Sequence, residues 1–204
     1  TNINYSKGHD LLAYHVSNFY YFINNNLDFK YFIFCASNEL YIKHGAINYI
    51  KTFKNGIQIL QEHQYNDWHN FKKNIHEKDF ILDLFNIINY NELCGGQAEG
   101  QFFEKDIFKK ISDIYLKITN NNEIYINFEA EEIIPQTIFK TLNIEYNDPL
   151  TLQNYTNNID FTNNYINSLI NGTKIKNKPI KSQLISPHVD KISNNIYSIK
   201  RIDR

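Results

Sequence analysis

The chain has no methionine, one tryptophan and only two cysteines in 204 residues. Cys35 and Cys94 lie in unrelated surroundings. They give no disulfide framework and suit a reducing compartment. Cys35 falls inside an apolar run and is expected to be a buried free thiol. Lys and Arg number 21 against 22 Asp and Glu, and no long basic run occurs, so the electrostatic footprint of a nucleic-acid binder is missing. The longest apolar runs are well short of the roughly 18–20 residues that a membrane span requires, which excludes a transmembrane helix. The seven histidines (His9, His15, His44, His63, His69, His76 and His188) show no metal-ligand spacing within one element, so no zinc site and no other metal site is expected.

Aromatic residues are abundant, with 15 Tyr and 15 Phe, and Asn, Ile and Lys are frequent too. Hydrophobic residues make up 42% of the chain and charged residues 21%, an ordinary globular balance. A chain of this length buries about 70% of its unfolded surface without staples. One domain spanning 1–204 is the expectation.

Helical periodicity places an amphipathic helix over 10–23, with Leu11, His15, Phe19 and Phe22 on one stripe. His15 on that stripe reads as a core histidine. Lys30–Ala36 is a short aromatic-rich apolar run, which predicts a central strand buried on both faces. Ser37, Asn38 and Glu39 follow at its C-terminal end, the edge at which open α/β sheets bind ligands. Further helices are expected over about 46–54, 80–88 and 104–118. The last carries Ile107, Phe108, Ile111, Ile114 and Tyr115 on one face. Gly56–Gln61 fits a short strand. The run Cys94-Gly95-Gly96-Gln97-Ala98-Glu99-Gly100-Gln101 has three glycines but no Gly-Lys-Ser/Thr, so it is no phosphate loop; it predicts a tight backbone approach leading into a strand. Glu129, Glu131 and Glu132 crowd the start of a helix over about 131–142, with Pro135 in its first turn. Residues 196–204 alternate as a strand ending in the basic cluster Lys200, Arg201 and Arg204. Strands interleaved with helices predict an α/β fold, with helices on a mostly parallel sheet.

Carboxylates combined with a basic cluster suit transfer of a group from a phosphate-bearing donor to a hydroxyl. A partly buried Glu takes the hydroxyl proton. Lys and Arg stabilise charge on the departing diphosphate. A carboxylate pair such as Glu99 and Glu132 also suits glycoside hydrolysis, at a separation of roughly 5–9.5 Å; hydrolysis would leave the terminal cations without a task. Trp68, with His63 and His69, could line a sugar or serve as a packing anchor.

Four segments in order are Ala-Ser-Asn-Glu-Leu-Tyr-Ile-Lys-His-Gly (36–45), Gly-Gly-Gln-Ala-Glu-Gly-Gln-Phe-Phe (95–103), Glu-Glu-Ile-Ile-Pro-Gln-Thr (131–137) and Ile-Lys-Arg-Ile-x-Arg (199–204). Together, across about residues 8–204, they resemble the core-2/I-branching glycosyltransferases and their bacterial and viral relatives. The resemblance implies a GT-A-like fold and an inverting transferase without a metal or other cofactor. It would move a hexosyl or N-acetylhexosaminyl unit from a nucleotide sugar such as a UDP-sugar to a hydroxyl of a glycan acceptor, in polysaccharide biosynthesis. Position by position, it implies Glu132 as the general base, with Glu131 as the fallback. Lys200, Arg201 and Arg204 would face the donor diphosphate. Ser37, Asn38, Glu39, Glu99 and Gly100 would line the donor and acceptor side, with Glu39 standing where relatives carry Asp. A cytoplasmic location is implied, with a membrane approached through the acceptor. The family's opening strand-helix-strand unit does not occur in this sequence. The expectation is therefore a piece of a longer enzyme or a trimmed relative. A non-catalytic carbohydrate- or protein-binding relative is the alternative.

Overall fold

A computed structural model describes residues 10–36, 39–61, 79–122, 130–153, 167 and 196–200. It is a mixed helix-and-sheet fold. The backbone divides into two compact units. The first comprises residues 1–32, 59–96 and 103–145, and the second 33–58, 97–102 and 146–204.

The first unit is a helical layer around an aromatic core. Helix α1 (Leu11–Asn24) starts at Asp10, whose carboxylate accepts from the Ala13 N–H at 3.1 Å, the expected bond of an N-cap aspartate. Its buried row is Leu12, Val16 and Phe19 rather than the predicted Leu11, His15, Phe19 and Phe22. Leu11 is 51% exposed and Phe22 38%. Two apolar rows run side by side on this helix, so periodicity alone could not select between them. His15 stands half-buried, edge-on to Phe32, and burial lowers its pKa to about 4. Helix α3 (Asp79–Ile88) and helix α4 (Lys105–Asn122) lie at the predicted places. On α4, Phe108, Ile111, Ile114 and Tyr115 are buried, and Ile118 extends the same face by one turn. Phe108 joins Phe19, Phe32 and Phe103 in a cluster with ring centroids 4.4–5.7 Å apart. Edge-to-face and offset-stacked pairs in that range add to the stabilisation from burial alone.

Strand β1 (Tyr31–Ile33) pairs with β5 (Phe102–Glu104). All three residues of β1 are half-buried, not the doubly buried centre of a sheet. Cys35, just beyond it, is exposed, which corrects the expectation of a buried thiol. An aromatic-rich run fits a half-covered strand as well as a covered one, because rings tolerate one wet edge. Strand β3 (Leu60–Gln61) pairs antiparallel with β4 (Cys94–Gly95).

The second unit holds helix α2 (Ala46–Phe53) and the sheet β2 (Glu39–Tyr41), β7 (Ser198–Lys200) and β6 (Thr151–Gln153), in the order β2-β7-β6. Strand β7 runs antiparallel to β2 and parallel to β6. The described strands thus form three small sheets of mixed direction, and a mostly parallel sheet is not found among the described residues.

The helix expected over 131–142 is broken. Ala130–Glu132 form a 3-10 turn, and helix α5 (Ile134–Thr141) starts after Ile133, with Pro135 in its first two positions. Continuing the α-helix back through Glu131 would drive the Pro135 ring into the Glu131 carbonyl, so the helix cannot start earlier. No described helix is long and apolar enough to cross a membrane.

Candidate functional site

In the second unit, the polar groups gather around Thr151, the first residue of β6. Thr151 Oγ1 donates to Glu39 Oε1 at 2.7 Å and lies 2.8 Å from Ser198 Oγ. Ser198 Oγ donates to the same carboxylate oxygen at 2.5 Å. The other oxygen, Glu39 Oε2, accepts from the Ala36 N–H at 3.0 Å. One carboxylate therefore joins Ala36 to the first residues of both β6 and β7. Thr151 and Ser198 are 4% and 0% exposed, so their bonds to the carboxylate are shielded from water.

The glycine-rich run reaches the same place from another side. Gln97 Nε2 donates to the carbonyls of Thr151 at 2.6 Å and Glu99 at 2.8 Å, and the Gln97 N–H donates to Gln58 Oε1. Gly100 has φ +76°, and its N–H donates to the Phe34 carbonyl while its own carbonyl accepts from the Leu150 N–H. A Cβ at this position would overlap Thr151, so the predicted tight approach falls on Gly100. The site residues Glu39, Glu99 and Gly100 thus share one neighbourhood with β7. Lys200 is the Cα partner of Glu39 across the β2–β7 pair. Thr151, Ser198 and Gln97 were not singled out in the sequence. Thr and Ser are too common for their type alone to mark them, and only the strand register brings them to the carboxylate.

In the first unit, Glu131 and Glu132 sit in the 3-10 turn, 3% and 7% exposed. They were expected on the first turn of an α-helix, where the dipole would favour their anions; the Pro135 break removes that setting. The turn is held by backbone and amide bonds. The Gly96 N–H donates to the Glu132 carbonyl at 2.9 Å, and Gln136 Nε2 reaches the carbonyls of Glu131 and Gly96. Thr137 Oγ1 exchanges bonds with the amide and carbonyl of Cys94, at 3.0 and 3.1 Å. The 131–137 segment and the start of the glycine-rich run are therefore packed together.

Ser37, Asn38, Glu129, Arg201 and Arg204 lie outside the described residues, as do His63, Trp68 and His69. Among the described residues, no three His, Cys, Asp or Glu side chains are grouped to hold a metal ion. No protein-family model matches the chain, no curated protein matches it, and no solved structure matches its fold.

Proposed function

We propose that the chain is a GT-A-like, metal-independent inverting glycosyltransferase that moves a sugar from a nucleotide-sugar donor to a hydroxyl of a glycan acceptor in the cytoplasm. The observation that carries this reading is the placing of Glu39 and Lys200 as partners on β2 and β7, with Gly100 packed on Thr151 beside them. Glu39, Gly100 and Lys200, one residue from each of three segments of the family resemblance, are thereby neighbours within one compact unit. A strand that brings Lys200 to this edge, and continues in sequence to Arg201 and Arg204, suits the charge developing on a departing diphosphate. Glu132 serves as the general base in this reading. Transfer and donor hydrolysis measured with a panel of nucleotide sugars, wild type against Glu132→Gln, test it. Activity unchanged by the substitution removes Glu132 as the base.

One observation favours the alternative, a non-catalytic carbohydrate- or protein-binding relative. Both oxygens of Glu39 are already engaged by its own fold, through Thr151, Ser198 and the Ala36 amide. Calorimetric titration with uridine diphosphate separates the two readings: the transferase binds it, and the binding relative does not.

A further inference from the structure

We propose that Thr151 and Ser198 are positioning residues that aim the Glu39 carboxylate and, through it, hold Ala36 against β6 and β7. The assignment of that carboxylate to a reaction rests on the transferase reading; the positioning itself does not. Three observations carry it. First, the two hydroxyls converge on one oxygen, Glu39 Oε1, at 2.7 and 2.5 Å, leaving Oε2 directed at the Ala36 N–H. A carboxylate fixed at one oxygen by two short hydroxyl bonds has its rotation set, and the second oxygen follows. Second, Thr151 is itself held. Its carbonyl accepts from Gln97 Nε2 at 2.6 Å, and the neighbouring Leu150 N–H donates to the Gly100 carbonyl at 2.9 Å. Third, Gly100 packs so closely on Thr151 that no side chain fits between them. The hydroxyl that orients Glu39 therefore stands on backbone pinned from the glycine-rich run.

Thr151 thus links segments far apart in sequence: Glu39 at the start of β2, the loop at Gln97–Gly100 and the strand at Ser198. A hydroxyl at residue 151 is what the carboxylate needs, and the methyl group is incidental to it. This separates a positioning role from simple packing. Thr151→Val keeps the shape and removes the hydroxyl, whereas Thr151→Ser keeps the hydroxyl and removes the methyl.

The test compares the full-length wild type, Thr151→Val, Thr151→Ser and Ser198→Ala in two measurements. Amide hydrogen exchange at Ala36 reads the carboxylate directly, because that N–H is bonded to Glu39 Oε2. Protection there is expected to fall at least about 10-fold in Thr151→Val and to return in Thr151→Ser, with Ile111 on α4 as an unaffected reference. Steady-state kinetics with the best UDP-sugar read the site: kcat/KM is expected to fall about 10- to 100-fold in Thr151→Val and to recover within a few-fold in Thr151→Ser. Unchanged Ala36 protection in Thr151→Val overturns the positioning. Altered protection with unchanged kinetics in an active enzyme overturns its relevance to the reaction. Altered protection in a protein that neither turns over UDP-sugars nor binds uridine diphosphate upholds the positioning and defeats the transferase reading.

Discussion

A Cβ on Gly100 would stand 2.2 Å from Thr151 Oγ1 and 2.4 Å from the Thr151 backbone nitrogen. Backbone cannot swing aside as a flexible side-chain tip can. Residue 100 also has φ +76°, where an L side chain is strained by about 1–2 kcal/mol. Gly100→Ala is therefore expected to cost at least about 3 kcal/mol, the sum of strain and overpacking. Gly45 is the comparison. Its φ is +107°, but a Cβ there meets only the Tyr197 ring at 3.3 Å. Gly45→Ala should cost less, about 1–2 kcal/mol. Urea midpoints of the two variants check the order, and a larger loss for Gly45→Ala would contradict the packing described.

Asp10 caps α1 and also accepts from Tyr115 Oη at 2.5 Å, and both residues are buried. Burial raises its pKa above the ordinary 3.8, against the opposing pull of the Tyr115 and Ala13 bonds. The folded state therefore holds the proton more tightly than the unfolded chain. The resulting stability is fully present below about pH 3.8 and is lost as pH rises through the folded-state value. Asp10→Asn keeps an acceptor for one of the two donors, since the Ala13 N–H and Tyr115 Oη bond to different carboxylate oxygens, and it removes that titration. Relative to Asp10→Asn, the wild type is expected to lose stability as pH rises above about 3.8 and then to run parallel to it at neutral pH. Denaturant unfolding of both proteins across that range checks this, and parallel curves throughout would contradict it.

The two thiols should be distinguishable in the native protein. Cys35 is exposed, whereas Cys94 is fully buried in β4, and its thiol is pushed up to about 11 by burial and then by nearby Glu92. Thiolate is the reactive form, so Cys94 is slow on both counts. A chromogenic disulfide reagent is expected to titrate one thiol in the native state and two in denaturant. Two rapid thiols without denaturant would contradict the burial of Cys94.

The sequence located the helices well and the site unevenly. The apolar periodicity of 10–23 and the Phe108–Ile111–Tyr115 face are local signals, and α1 and α4 sit where they predict. The buried row of α1 is not legible locally, because Leu11 and Leu12 head two apolar rows that share Phe19. Pro135 requires a late helix start, whereas the carboxylates crowded upstream fit an earlier one equally well. The glycine-rich run was legible as a close approach, though neither Gly100 as its point of contact nor Thr151 as its partner was. Thr151 lies 51 residues from Gly100, and Ser198 lies 159 from Glu39. Hydrogen bonds at that separation depend on strand register, which no local pattern encodes.

The proposed sugar transfer with Glu132 as the base is tested by turnover of nucleotide sugars. The measurement is release of nucleotide diphosphate from a panel of donors, with a metal chelator present, in wild type and Glu132→Gln. Turnover is expected to survive the chelator and to fall about 10²- to 10⁴-fold in Glu132→Gln, the range a positioned general base supplies. No turnover and no binding of uridine diphosphate, or equal turnover in the two proteins, would contradict it.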